Sequence, residues 1–300
     1  MDRPLVTISS AFYNESAYLR TLIQSVLAQT FTDWELILLD DGSEDDSLQI
    51  AKSIDDPRVK VFTNGENLGR SASLNRLATL AQGKYLARFD ADDMCGITRI
   101  EKQVGFLESN PGVDAVGTGI CYLNMDDDPV GCWQAPEAHG QICKHPDRTF
   151  NICHGSLLGK KSWFDKWTYD TSLTLSVDGD LLYRAYKNST FANIAEPLYY
   201  YRLDQSFTLR KQFISRYHHS RTLFKSYIQQ GMYGKAISAW ALQYGKYAAT
   251  VLMCAIGLRK RLMQRRYKAL SPVEIDFYEK EIHKIKSIEL PLKISVKEQL

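Results

Sequence analysis

From residue 5 onward the chain alternates between two periods. Leu5–Ala11 is an apolar, β-branched run, and Leu19, Leu22, Ile23, Val26 and Leu27 then recur at the spacing of a helix with one buried face. The same strand-then-helix pattern returns at Glu35–Leu39 with Ser47–Ser53, at Val59–Thr63 with Ser73–Ala81, and at Lys84–Phe89 with Thr98–Ser109. Such a succession predicts an α/β fold, with a mainly parallel central sheet flanked by helices on both faces. Beyond residue 113 the rhythm breaks into short strand candidates at Ala115–Thr118 and Gly155–Leu158, joined by a polar stretch containing Asp126-Asp127-Asp128-Pro129. No flexible linker intervenes, so this region is expected to continue the same domain, with a helix near Asp178–Tyr186 and a strand near Leu198–Arg202. From about residue 208 to 287 the pattern is helical, with turn breaks at Gly231, Gly234 and Ser271-Pro272.

Composition adds a class and charge adds a division. With 300 residues, 44% of them apolar, the chain can bury a sizeable core, which excludes disordered, collagen and coiled-coil readings. The net charge of +2 conceals a segregation: residues 1–209 hold 19 Lys/Arg against 29 Asp/Glu, residues 210–268 hold 13 against none, and residues 269–300 hold 5 against 6. An acidic body with a purely basic segment predicts different partners for the two. The start Met1-Asp2-Arg3-Pro4 has no cationic region before a short apolar run, so the body is expected in the cytoplasm. The six cysteines include no C-x-x-C pair, and the knot of Cys143, His145, Cys153 and His154 lacks metal-site spacing, so they read as reduced thiols.

In open α/β sheets ligands bind beyond the carboxyl ends of the strands. Those positions are polar here: Tyr13-Asn14-Glu15, Asp40-Asp41-Gly42-Ser43, Asn64-Gly65-Glu66-Asn67 and Asp90-Ala91-Asp92-Asp93. Acidic groups gathered at one edge repel unless a cation joins them, and Mg²⁺ or Mn²⁺ accepts carboxylate oxygens while keeping places for phosphate. Strand alternation points Asp90 and Asp92 the same way, toward one ion or the ligand holding it. The glycine-based alternatives fail: Gly117-Thr118-Gly119 lacks its third glycine at Tyr122, and no G-x-x-x-x-G-K-[ST] occurs.

Together with Ala11 to Glu15, Ser25 to Phe31, Asp40 to Ser43, Asn67-Leu68-Gly69, Phe89 to Asp93 and Arg99 to Gln103, these motifs resemble the family 2 glycosyltransferases of GT-A fold over residues 4–206. The resemblance implies a GT-A catalytic domain over residues 1–208, with a nucleotide-sugar half to about residue 110 and an acceptor half from 111, and a helical extension over 209–300. It implies that Tyr13 and Glu15 line the nucleotide, that Asp41 bonds the base, usually uracil, and that Asp90 faces ribose and sugar. Asp92 becomes the metal ligand on the diphosphate and Asp178, in Val177-Asp178-Gly179-Asp180-Leu181, the catalytic base. Arg202 matches an arginine near a segment that closes over the diphosphate, while His154 and Asp180 fall on the acceptor side. Two positions depart from the family pattern: Val177 replaces a glutamate, and Asp204 a histidine. The implied activity is inverting transfer from a nucleotide sugar, UDP-linked first, to a saccharide or polyprenyl-diphosphate-linked hydroxyl in bacterial surface polysaccharide synthesis. A non-catalytic nucleotide-sugar-binding subunit is the alternative. A sugar nucleotidyltransferase should carry a glycine-rich loop after the first strand, where Ser9-Ser10-Ala11-Phe12 has none.

The basic segment combines its cations with a helical stripe of Trp240, Tyr244, Tyr247, Val251, Cys254 and Leu258. Lys246 near the centre of Ala236–Leu258 would cost roughly 2.5–3.5 kcal/mol in a bilayer, about what the aliphatic residues return. An interfacial helix on an anionic membrane surface is therefore expected through residues 210–268, at the inner face of the cell membrane. The acidic body argues against nucleic acid.

Overall fold

The computed structural model describes residues 3–203, 208–257 and 267–293. Strands β1 (Val6–Phe12), β2 (Trp34–Asp40), β3 (Val59–Thr63) and β4 (Tyr85–Arg88) lie in the order β3-β2-β1-β4, all parallel. The helices α1 (Leu19–Leu27), α2 (Ser47–Lys52) and α3 (Arg70–Leu80) connect them. Every residue of β2 is buried because both faces of the sheet are covered. Leu36 and Leu38 join a core cluster with Leu22, Ile23 and Val26, whereas Ile37 and Leu39 join another with Leu74 and Leu77. Successive side chains point to opposite faces, so a doubly covered strand needs an apolar residue at nearly every step.

The remaining strands, β5 (Met94–Cys95), β6 (Ala115–Leu123), β7 (Pro129–Trp133), β8 (Leu158–Lys160) and β9 (Phe191–Arg202), complete one sheet. Here the expected parallel pattern is interrupted. β8 runs antiparallel to both β4 and β6, β7 to β6 and β5 to β9, while β6 and β9 are parallel. Six of the nine described strands, β1 to β4, β6 and β9, still run in one direction, so the sheet is mainly parallel as expected, with β5, β7 and β8 reversed. After the β6–β7 hairpin the chain enters the gap between β4 and β6 from the opposite end, which reverses β8 against both. The expected strand at Gly155–Leu158 is instead a 3₁₀ turn at His154–Ser156 followed by β8.

The other α-helices among the described residues are α4 (Arg99–Ser109), α5 (His139–Ile142), α6 (Lys161–Lys166), α7 (Val177–Ala185), α8 (Leu209–Gln229), α9 (Tyr233–Ala255) and α10 (Pro272–Lys286). α8 and α9 pack as a hairpin turned at Gly231, whose φ of 70° suits a residue without Cβ. α10 begins with a capping box between Ser271 and Glu274 and then returns to the sheet. Its Tyr278, Ile282 and Ile285 bury against Met94, Cys121, Leu123 and Tyr200. The Gln24 side chain, from α1, donates to the carbonyls of Lys286 and Ile288 at 2.9 and 2.8 Å. Ile285→Ala is expected to destabilise the whole chain by about 2–5 kcal/mol, as deletion of a fully buried branched side chain does, and to lower the urea midpoint of the single body transition. A melting transition confined to α10 would contradict that packing.

Candidate active site

The carboxyl ends of β1, β2 and β4 and the loop after β3 converge on a cavity of about 300 Å³. Tyr13 and Glu15 enter from the end of β1, Asp41 from β2, and Asp90 and Asp92 from β4. Asp41 is buried and already organised by its own chain. Its Oδ1 accepts from Asn64 Nδ2 at 2.7 Å, Ser73 Oγ at 2.9 Å and the Leu68 N–H at 3.0 Å, and its Oδ2 accepts from the Gly69 N–H at 3.1 Å. A carboxylate offers about four acceptor positions, so Oδ2 keeps one for a ligand. Gly42 makes this loop possible: its φ is +79°, and a Cβ there would stand 2.6 Å from the Glu66 carbonyl carbon.

A second cavity, of about 1010 Å³, is lined by Cys153, His154, Ser176, Asp178, Tyr201 and Ser215, among others. It meets the first at Arg70, Asp90 and Asp92, which line both. Asp90 Oδ1 takes Arg70 and Arg88, each at 2.6 Å. Burial opposes the charge of Asp90, but these two guanidiniums prevail and hold its carboxyl well below the usual range. Asp92 is in the opposite situation. Burial and the neighbouring Asp90 push its carboxyl up, and among the described residues it has no ion-pair partner. Asp178 lies in the first turn of α7, half-buried, across the second cavity. Ser176, just before α7, has a left-handed φ of 56° and is held by Ser215 of α8, with 2.6 Å between the two hydroxyls. α8 thereby sets the direction in which α7 presents Asp178.

His154 is buried, bonds the Tyr169 hydroxyl through Nε2 at 2.7 Å, and packs edge-on to that ring. Burial and then the Arg88 charge lower its pKa to about 3, so it stands as a neutral wall of the second cavity. Asp180, expected on the acceptor side, lies outside both cavities. It is turned to Arg184 at 2.8 Å and to the Thr222 hydroxyl at 2.8 Å, where it ties α7 to α8. Arg202, expected beside a closing segment, is buried under the acidic loop. It pairs with Asp127 at 2.5 Å, donates to the Asp92 carbonyl and stacks over Tyr18, with 4.6 Å to the ring. Asp204 lies outside the described residues.

Several residues of the recognised motifs brace the site rather than line it. Arg99 is fully buried between Phe89 and Tyr199, donating to Gln103 Oε1 at 3.0 Å and the Arg88 carbonyl at 2.8 Å. Gln103 reaches the carbonyls of Val116 and Ser156, and Gln29 that of Gly96. Asp93, also buried, accepts from the Tyr199 hydroxyl at 2.7 Å and the Arg202 N–H at 2.9 Å, joining the acidic loop to β9.

Among the described residues no three His, Cys, Asp or Glu side chains gather into a metal-binding group. The donor set still fits a hard cation of the Mg²⁺ or Mn²⁺ kind, which takes one or two carboxylates and completes its shell with phosphate oxygens and water. Asp92, uncompensated and at the junction of the cavities, would be the ligand.

Residues 7–167 match the model of the family described as Glycosyl transferase family 2. The chain belongs to that family. This family 2 glycosyltransferase is 32% identical to the uncharacterized glycosyltransferase MJ1057 of Methanocaldococcus jannaschii over 72% of its own length and 75% of the relative's. It is 27% identical to the UDP-Glc:alpha-D-GlcNAc-diphosphoundecaprenol beta-1,3-glucosyltransferase WfaP of Escherichia coli, over 73% of its length and 91% of that protein's. The mannosyltransferase PcManGT of Pyrobaculum calidifontis, solved with GDP-Man and Mn²⁺, superposes with a TM-score of 0.57 at 15% identity, covering 95% of this chain and 86% of that one. The fold of this glycosyltransferase is GT-A, with a curled mixed sheet and a C-terminal helical region.

Sequence reasoning passed over Arg70, Arg88 and Tyr169. Arg70 did carry a signal: it opens α3, where the helix dipole disfavours a cation. A charge placed against that preference is held for another purpose. Arg88 carried one as well, since two residues before Asp90 strand alternation sets it on the same side, whereas Tyr169 carried none and matters only through what the fold sets beside it.

Proposed function

We propose that this glycosyltransferase moves a sugar, with inversion, from a nucleotide diphosphate sugar to an acceptor hydroxyl, as the polysaccharide-building members of its family do. The observation that carries the reading is the junction of two cavities at Arg70, Asp90 and Asp92, with Asp178 facing it from the acceptor side. The donor is UDP-linked and the acceptor a saccharide or a polyprenyl-diphosphate-linked saccharide of bacterial surface polysaccharide synthesis. The substrates in the name of WfaP, similar over most of both chains, support both choices.

In this reading the nucleotide lies in the first cavity, its base on Asp41 and its sugar on Asp90. The bond from the anomeric carbon to the β-phosphate oxygen breaks and its electron pair leaves with the nucleoside diphosphate. The acceptor oxygen forms the new bond from the opposite face as Asp178 takes its proton. One displacement inverts the anomeric centre, by analogy with inverting glycosidases. A divalent cation on Asp92, when bound, supplies Lewis-acid stabilisation of the departing diphosphate. Arg70 assists with a guanidinium that spends one bond on Asp90 and, half-exposed, keeps others for phosphate. Since Arg88 also compensates Asp90, Arg70→Ala is expected to leave the fold intact. It should lower kcat/KM about ten- to a hundredfold, the equivalent of one charge-assisted hydrogen bond of roughly 1.5–3 kcal/mol, with Arg70→Lys recovering part in steady-state assays.

A panel of nucleotide sugars, UDP-linked ones first, tests the function, with NMR of the new linkage. Transfer with inverted configuration is expected. A retained configuration would refute the single displacement, and a chain that binds nucleotide sugars but neither transfers nor hydrolyses any would be the non-catalytic subunit.

A further inference from the structure

We propose that the outer side of the α8–α9 hairpin docks on an anionic lipid bilayer. Arg210, Phe213, Tyr217, Arg221, Phe224 and Ile228 follow at three- and four-residue steps, so they share one side of α8. Phe213, Tyr217 and Phe224 are 41, 46 and 41% exposed. On α9, Tyr233, Ile237 and Trp240 recur at the same steps and are 64, 65 and 50% exposed. The two sides are continuous: Trp240 contacts Tyr244 at 4.4 Å between rings, and Tyr244 contacts Phe213 at 6.1 Å. Between the helices lies a cleft of about 490 Å³, where Tyr217, Phe224, Ile228 and Trp240 meet the cations Arg221 and Lys225.

A run of exposed rings marks a contact surface rather than ordinary solvent-facing decoration. Charge selects the occupant. Residues 210–268 hold 13 Lys/Arg and no acidic residue, so a second copy laid on the same side would bring like charges together, whereas an anionic leaflet complements them. The stretches around Arg259 to Arg261 and Arg265-Arg266 lie outside the described residues and enter only through this sequence count. No described helix is long and apolar enough to cross a membrane, which leaves docking along the surface, aromatic rings at the depth of the headgroups.

The same helix carries the argument to the active site. Ser215 on α8 lines the second cavity and holds Ser176 before Asp178, so the helix with the lipid-facing side is also a wall of the acceptor cavity. Docking of α8 would bring a lipid-linked acceptor beside the helix whose other side walls the cavity of Asp178. This last step rests on the proposed acceptor, whereas the docking itself does not.

The full chain should float with vesicles of phosphatidylglycerol and phosphatidylcholine and not with phosphatidylcholine alone, and raised salt should release it. Arg221→Gln with Lys225→Gln should weaken vesicle binding roughly 25-fold, at about 1 kcal/mol per cation, and Trp240→Ser should weaken it as well. Transfer to a water-soluble acceptor should be unchanged in both variants, because none of these residues lines the two cavities of the active site, so loss of docking and failure of the glycosyl-transfer reading are separable. Equal binding to both kinds of vesicle, or to neither, would overturn the proposal. So would a dimer in solution that Trp240→Ser dissociates while vesicles have no effect, since that outcome assigns the side to a second copy.

Discussion

Asp178→Asn should reduce kcat by about 10²–10⁴-fold while nucleotide affinity, measured by calorimetry with UDP, stays near that of the parent chain. The amide keeps the size of the carboxylate and cannot take a proton. Asp178 suits the role because it has no ion-pair partner among the described residues, unlike Asp180 two residues later and on the other side of the helix, which is held by Arg184 and Thr222. The competing role is structural: an acidic residue in the first turn of α7 interacts favourably with the helix dipole, worth about 0.3–1 kcal/mol. The two roles separate cleanly. A helix-start carboxylate alone would shift the melting temperature slightly and leave kcat intact, and equal loss of binding and turnover would refute the base.

Asp92→Asn should be nearly as damaging, for a different reason. Of the two carboxylates at the junction, Asp90 is paired with Arg70 and Arg88, whereas Asp92 makes no ion pair among the described residues and would take the cation. Loss of roughly 3–4 kcal/mol of leaving-group stabilisation corresponds to about 10²–10³-fold in kcat/KM. Chelation with EDTA should stop transfer in the parent chain, and Mn²⁺ should restore it along a titration curve that Asp92→Asn displaces to higher metal concentration. An unchanged curve in the variant would move the ligand to another residue.

The strand ends show how far the linear pattern reaches. The run Glu35 to Leu39 could be read as a strand of a sheet covered on both faces because it is nearly all apolar, and the structure extends it to Trp34–Asp40. Its carboxyl end could be read as ligand-facing because Asp40-Asp41 follows without an intervening turn. The same reading could not tell lining from bracing. Gln29, Arg99 and Gln103 belong to the recognised motifs just as Asp92 does, yet they are buried and bonded to carbonyls beneath the acidic loop. Arg202 is the sharpest case: expected beside a closing segment, it is occupied by Asp127 and the Asp92 carbonyl. Lys286 of α10 holds the same Asp127 at 2.5 Å.

What the sequence determined alone is local or periodic: the alternation of strand and helix, the acidic strand ends, the family, and the segregation of charge between body and hairpin. These depend on neighbours within a few residues, where side-chain period and composition decide the outcome. The tertiary structure decided the antiparallel entry of β8, the return of α10 to the sheet, the compensation of Asp90 but not Asp92, and the placement of Asp178 by α8 through Ser176. Apart from Arg88, two residues before Asp90, each depends on segments tens to hundreds of residues apart meeting in space. Burial and charge act there through proximity, which no spacing along the chain encodes.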